Sequence, residues 1–354
     1  MSGKTKVGYI PYSKNLEHPG DRRRIVICAK AGKLDIITDN PLDSDLLLLS
    51  NGANFNHWIK NSRKPVILDL VDAYLGENPN WIRDFLRNIV RTLNGKASLS
   101  DITYTKGLKK ACLASDAVIV ATPEQRDFIL PYNENVYVIL DDHSELNLSN
   151  IDKPFEKEKS IFWEGMGYTL KHFKVIAPDL DSYLFKNSYC LYLLTNETFA
   201  RWGGYLGSVD SKKLIKKLFP KSFTQIRVIP WSIQNVLEYS NKSEFAIIPI
   251  DTDDNFANLK PENKLLGLWA LGLPVLFSST PAYKRVAHEA GLMDACINQE
   301  NWKQSLDGHD LLINQNYMNL AKKYLDNFHT QEVLIQKWEA AINTTLAKSQ
   351  SREE

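Results

Sequence analysis

The segment best equipped for chemistry runs from Phe245 to Leu276. It reads as an apolar strand ending at Asp251 and a polar loop through Asp253, Asp254 and Asn255. Then Lys260-Pro261-Glu262-Asn263-Lys264 opens a helix over 261–271 that closes at Gly272, and a further strand starts at Pro274. Pro261 suits a first helical turn, where its missing N–H costs nothing. The N–H groups of such a turn, together with the helix dipole, form an anion site. Lys260 and Lys264 flank it and add positive charge. The plainer alternative is a Rossmann-like helix whose lysines are only solvated.

Other candidates sit at the ends of apolar runs. Gly165-Met166-Gly167-Tyr168 follows a strand over 160–163 and offers a loop that a phosphate or sugar can approach closely; it is not G-x-G-x-x-G, so a dinucleotide fingerprint is not supported. Thr195 and Asn196 end another strand, and Trp231 follows a third, placed either to stack on a base or to pack the core. In the first half, His18 precedes Arg22, Arg23 and Arg24 at a helix start. Three cations there oppose the helix dipole, so Asp21 or an anionic ligand should compensate them, the ligand through guanidinium clamps. Asp72, at the end of a strand with Asp69, is placed to take a proton from an acceptor hydroxyl; helix capping or an arginine partner is the alternative. His143, after Asp141-Asp142, is a second base or donor contact, or simply structural. Three oxygen ligands for a metal cannot be assembled from these carboxylates, and none is expected.

These groups need a scaffold, and the pattern supplies one. Val, Ile and Leu runs at 7–11, 34–38, 45–50, 64–70, 117–121 and 136–140 show little alternation, as in parallel strands buried on both faces. Helical patterns at 20–32, 78–95 and 123–130 separate them. A charged, proline-containing stretch, 152–160, reads as a linker. Beyond it, strands at 160–163, 189–194, 225–229, 245–250 and 274–278 alternate with helices at 211–219, 232–240, 261–271, 281–290 and 314–346. The expectation is an α/β protein of two Rossmann-like doubly wound domains facing a central cleft: residues 1–150, residues 151–330, and a C-terminal helix, 331–354.

Composition narrows the function classes. The chain has 354 residues, 44% hydrophobic and 24% charged, with 43 Lys plus Arg against 42 Asp plus Glu. Ordinary globular composition excludes a disordered scaffold, and a balanced charge argues against bulk attraction to nucleic acid. Four scattered cysteines without a C-x-x-C pair fit a reducing compartment. The N-terminal run leads into a strand-like segment without a signal-peptide pattern, and no apolar run is long enough to span a bilayer. A cytoplasmic protein is expected. The basic amphipathic stretch 211–221, with Lys212, Lys213, Lys216 and Lys217, suits either a solvated helix face or peripheral contact with a membrane's inner face.

The pattern K-P-E-N-K-x-x-x-x-x-A-x-G-x-P-V over 260–275, after a strand ending Pro-x-Asp, resembles the donor-binding half of GT-B fold glycosyltransferases. Ile161–Tyr168 resembles their glycine loop, Arg227–Ser232 the segment beside the nucleotide base, Ser115–Glu124 the end of their first domain, and the helix carrying Trp338 their returning helix. The resemblance covers most of residues 100–345. It implies a donor site at Gly165, Gly167, Tyr168, Thr195, Asn196, Trp231, Lys260, Pro261, Glu262, Asn263 and Lys264, with the sugar's diphosphate at the helix N-terminus. It further implies catalytic groups at Asp72 and His143, acceptor or phosphate contacts at His18, Arg22 and Arg23, and no cofactor beyond the nucleotide-sugar substrate. The acceptor would be a saccharide or a lipid-linked one, as in surface-polysaccharide synthesis. Many retaining members carry a ribose-binding glutamate five residues before the helix-ending glycine; Gly267 stands there in this chain. That departure leaves inversion or retention open and gives weight to a non-catalytic relative that binds a nucleotide sugar or a partner protein. An epimerase or phosphorylase of related fold is a further alternative.

Overall fold

The computed structural model describes residues 4–77, 79–146, 156–200, 207–314 and 316–353. The chain forms two compact units. One comprises Met1–Asp142, Leu259–Pro261 and His329–Glu354; the other comprises His143–Asn258 and Glu262–Phe328.

The first unit holds a six-stranded parallel sheet of β1 (Thr5–Ile10), β2 (Leu34–Ile37), β3 (Leu46–Ser50), β4 (Val66–Leu70), β5 (Ala117–Val120) and β6 (Val136–Val138), in the order β2-β1-β3-β4-β5-β6. Every residue of β3, β4 and β5 is buried, as their unalternating composition requires when helices cover both faces. The C-terminal helix Gln331–Glu353 completes this core. Its Leu334, Trp338 and Ala341 pack with Val7, Tyr9, Ile25 and Leu46.

The second unit has β7 (Glu158–Glu164), β8 (Cys190–Thr195), an antiparallel hairpin of β9 (Thr198–Ala200) and β10 (Ser208–Asp210), then β11 (Ile226–Pro230), β12 (Ser243–Ile248), β13 (Val275–Ser278) and β14 (Cys296–Ile297). Its parallel sheet runs β11-β8-β7-β12-β13-β14, so the strand order reverses between β7 and β12. Ligands of such sheets bind beyond the carboxyl ends of the strands at that reversal. Both units are thus doubly wound α/β layers.

Several local expectations need correction. The helix expected over 20–32 is two pieces, Pro19–Arg22 and Ile25–Lys30. Arg24 lies between them with φ −121° and ψ −124°, which turns its side chain into the core. The helix expected over 314–346 breaks into Tyr317–Phe328 and Gln331–Glu353, because the chain passes from the second unit to the first at His329. Of the expected linker, residues 152–155 lie outside the described residues, and Glu158–Ser160 already belong to β7. The helix expected from Pro261 starts at Asn263.

Candidate functional site

In the second unit, the groups at the carboxyl ends of β7, β8 and β11 come together. Gly165 follows β7 directly. A β-carbon on it would stand 2.9 Å from Lys264 Nζ, 2.9 Å from the Trp163 ring and 3.0 Å from Thr169 Oγ1, so only glycine admits the lysine here. Lys264 Nζ lies 4.9 Å from the Trp163 ring centroid, a cation–π distance. The structure therefore joins two candidates about one hundred residues apart, the glycine loop and the second lysine of K-P-E-N-K, beside the reversal point.

Gly167 has its own constraint: a β-carbon would meet the Phe199 ring at 2.5 Å. Its N–H points at Asn196 Oδ1 across 3.5 Å, a long bond. Thr195 is fully buried at the end of β8, with its hydroxyl unpartnered among the described residues. Tyr168 and Trp231 are half-exposed, at 46% and 40%. Trp231 is not core; its Nε1 donates to Glu164 Oε2 at 2.8 Å. Since β8 lies between β11 and β7, that bond carries the indole across roughly 10 Å of sheet edge. Glu164, which the sequence reading passed over, is the residue that holds it.

The helix Asn263–Ala270 is short, and Pro261 precedes it rather than forming its first turn. Glu262 is fully buried, and Arg285 Nη2 pairs with its Oε1 at 2.8 Å. That bond commits the carboxylate to the helix Pro281–Ala290 and leaves Glu262 at the cap with no capping hydrogen bond from its side chain. Asn263 and Lys264 are half-buried in the first turn, whose N–H groups have no intrahelical partner.

The loop after β12 is clamped by two ion pairs. Lys174 Nζ meets Asp251 Oδ2 at 2.6 Å, and Lys171 Nζ meets Asp254 Oδ2 at 2.5 Å. Burial pushes Asp254 up, but its bonds to Lys171 and to the Ala257 N–H outweigh that and hold it below the usual carboxylate range. Burial, with Lys171 beside it, pulls His172 down to about 4. The neutral ring accepts from the Asp251 N–H through Nδ1 at 3.4 Å. Asp254 of the polar loop is thus tied to the Gly167–Val175 segment.

His143 is buried in this unit and fills space beside Gly267. A β-carbon on Gly267 would stand 3.1 Å from Leu146 Cδ1 and 3.6 Å from His143 Nδ1. The direction a longer side chain would take from position 267 is already occupied by these two.

The first unit groups different candidates. Asp21 is fully buried and organises the loop after β1, accepting from Tyr9 OH at 2.6 Å, the Tyr12 N–H at 2.8 Å, and the Ser13 N–H and hydroxyl at 3.0 Å each. His18 Nδ1 accepts from the Gly20 N–H at 3.0 Å, and its ring stacks on Tyr12 with centroids 4.8 Å apart; burial holds its pKa below the usual value. Arg22 donates to the Glu17 carbonyl at 3.0 Å. Arg22 and Arg23 are half-buried, whereas Arg24 is fully buried against Asp69 at 2.6 Å and Asp141 at 3.0 Å. Burial alone would lower the Arg24 guanidinium, and the two carboxylates more than reverse that.

Asp72 is half-buried beyond the end of β4. Burial raises its pKa, and Lys260 pulls it back. Lys260 belongs with this unit, between Leu259 and Pro261, while Lys264 belongs with the other. Lys260 was legible only as charge; its influence on Asp72 comes from a loop returning to the first unit.

No protein-family model and no curated protein sequence matches the chain. Solved structures match it by fold. A glycosyltransferase from Rickettsia africae ESF-5 superposes with a TM-score of 0.64 at 12% identity, over 98% of this chain and 99% of that one. An alpha-glucosyltransferase in complex with UDP and a 13-mer DNA containing a HMU base gives 0.60 at 11%, over 96% and 100%. TarM gives 0.58 at 12%, over 84% of this chain but 54% of that one, so the chain spans about half of TarM's length. Two Rossmann-like domains, each a six-stranded parallel sheet between helices, define the class. The chain has the GT-B fold of these glycosyltransferases.

Proposed function

We propose that the chain is a glycosyltransferase that moves a sugar from a nucleotide-diphosphate sugar to a hydroxyl of a saccharide or lipid-linked acceptor, in polysaccharide synthesis at the inner face of a membrane. The observation that carries this reading is the ammonium of Lys264 lodged against Gly165 beside the reversal of the second sheet. There the Gly165–Gly167 loop, the first turn of Asn263–Ala270 and Lys264 supply N–H donors and positive charge for a diphosphate, both as ground-state contacts and as stabilisers of the leaving group. Trp231, held half-exposed by Glu164, offers a face to the base. Thr195, Asn196 and Tyr168 border the same strand ends. In the first unit, Asp72 takes the acceptor proton in an inverting reaction, its raised pKa suiting a general base. His18, Arg22 and Arg23 meet the acceptor. In a retaining reaction the diphosphate and backbone groups carry more of the work, with His143 as a donor-side contact.

Thermal shift with UDP, GDP and CDP tests the donor half, because a ligand that binds only the native state raises its melting point. A shift with one nucleotide that Lys264→Ala abolishes supports the reading; no shift with any of them rejects it. The occupation of the space at Gly267 by Leu146 and His143 favours a second reading, a relative that binds the donor without turnover. Nucleotide binding without nucleotide release from any donor–acceptor mixture supports that one.

A further inference from the structure

The helix Trp81–Leu93 is amphipathic with its faces exchanged. Trp81, Ile82, Phe85, Leu86, Ile89, Val90 and Leu93 recur at the spacing of one broad helical stripe. Yet Trp81, Ile82 and Leu93 are 62%, 64% and 76% exposed, and Leu86 and Val90 are exposed beside them. The buried positions are polar, Asp84 and Asn88.

Specific bonds hold that orientation. Asp84 takes the N–H of Thr105, in the first turn of the helix Tyr104–Ala114, on both carboxylate oxygens at 3.2 and 3.1 Å. Asn88 donates to the Ser98 carbonyl at 3.1 Å, and Arg91 to the Asn51 carbonyl at 3.0 Å. Arg87 pairs with Glu77 at 2.7 Å and lies 4.1 Å over the Tyr104 ring. Turning the apolar stripe inward would break all of these, so its exposure is built into the fold. A contiguous apolar face of this size on a folded chain marks an interaction surface.

Charge identifies the occupant. From residue 55 to 115 there are ten Lys and Arg but only five carboxylates, Asp69, Asp72, Glu77, Asp84 and Asp101. All five are buried or half-buried; Arg83 is exposed but paired with Glu77 at 2.7 Å, Lys110 is exposed but paired with Asp101 at 3.1 Å, and Lys96 and Lys106 are exposed outside these pairs. An apolar stripe about 20 Å long, with Arg83 and Lys96 exposed near its two ends and Trp81 stacked on Phe85 at 5.2 Å where it opens, matches a helix lying in the interface of an anionic bilayer. A second copy fits poorly, because a two-fold pairing through this face would set each cation rim against the same rim. The basic helix Ser211–Leu218 is built the opposite way: Ile215 is buried, and Lys212, Lys213, Lys216 and Lys217 point outward, so it offers charge without an apolar surface to insert.

We infer that Trp81–Leu93 seats the first unit on an anionic lipid surface, its apolar stripe in the acyl boundary and its neighbouring cations among the headgroups. The inference deepens the proposed placement at the inner face of a membrane by naming the element that makes the contact. Its test reads no turnover, so either can fail alone. The experiment is flotation of the full chain with phosphatidylcholine vesicles and with equimolar phosphatidylcholine–phosphatidylglycerol vesicles at low and high salt. Binding to the mixed vesicles, weakened by salt, is expected. The double variant Leu86→Glu, Leu93→Glu should lose it by about tenfold or more, with melting temperature and nucleotide response unchanged. Lys213→Glu with Lys217→Glu should leave it largely intact. Absence of binding to the mixed vesicles, binding that survives the double glutamate variant, or a dimer in sedimentation that the same variant dissolves, each overturns the proposal.

Discussion

The Nζ of Lys264 stands 2.9 Å from the point where Gly165 would carry a β-carbon, so the lysine and the glycine loop share one space. Gly165→Ala must displace the ammonium and also presses at 2.9 Å on the buried Trp163 ring, so it strains the fold as well as the site. The expected outcome is a nucleoside diphosphate affinity lower by about tenfold, roughly 1.4 kcal/mol, together with a lowered melting temperature. Lys264→Ala should lose at least as much, since charge-assisted bonds are worth about 1.5–3 kcal/mol. Calorimetric titration measures both; wild-type affinity in Lys264→Ala would remove the lysine from the site.

Asp72 leads to a prediction about pH. Its burial raises the carboxyl above the ordinary range near 4, so a base at this position becomes active at higher pH than a solvated aspartate. The acid limb of kcat should report that raised value. Lys260 opposes the shift, so Lys260→Ala should move the limb to still higher pH, while Asp72→Asn should lower kcat by a factor on the order of 100 or more and leave donor affinity intact. A kcat profile indifferent to Lys260 would separate the two residues.

Two histidines set the acid stability. His172 in the second unit and His329 in the first are both held at about 4 by burial, and the bond that the Asp141 backbone makes to His329 only partly opposes this. Unfolded, each titrates near 6.5, so between 6.5 and 4 the unfolded chain binds more protons and stability rises with pH. Acidification through that window should remove on the order of 3 kcal/mol per histidine. Urea titrations at stepped pH test this: His329→Gln should flatten the slope, and an unchanged slope in that variant would reject the assignment.

Arg24 is fully buried among Asp69, Asp141 and the Ile139 carbonyl, with its guanidinium 5.5 Å from the Trp338 ring. Arg24→Met strands two carboxylates and should cost about 3–5 kcal/mol; Arg24→Met with Asp69→Leu should recover a large part of it. Denaturant midpoints of the single and double variants decide this.

The layered fold was legible because the buried strands announce themselves. Leu46–Ser50 and Val66–Leu70 carry little polarity, so their burial on both faces follows from composition. Gly165, Lys264 and Trp231 were legible as strand-end and helix-start residues, but not their mutual placement. Arg24 was hidden because its partners lie 45 and 117 positions away, and no local pattern marks which of three consecutive arginines turns inward. Glu164 reads as an ordinary strand end until Trp231 reaches it. The helix Trp81–Leu93 was found by its period, but the period does not reveal which face is buried. Only the polar bonds of Asp84 and Asn88 determine that.

The wall contributed by Leu334, Trp338 and Ala341 has a consequence for biogenesis. The first sheet precedes the second unit in the chain, yet the helix that covers Val7, Tyr9 and Ile25 follows it. The opening domain therefore waits, with an unshielded patch, while the whole intervening domain is made. A chain cut before Gln331 would leave that patch uncovered.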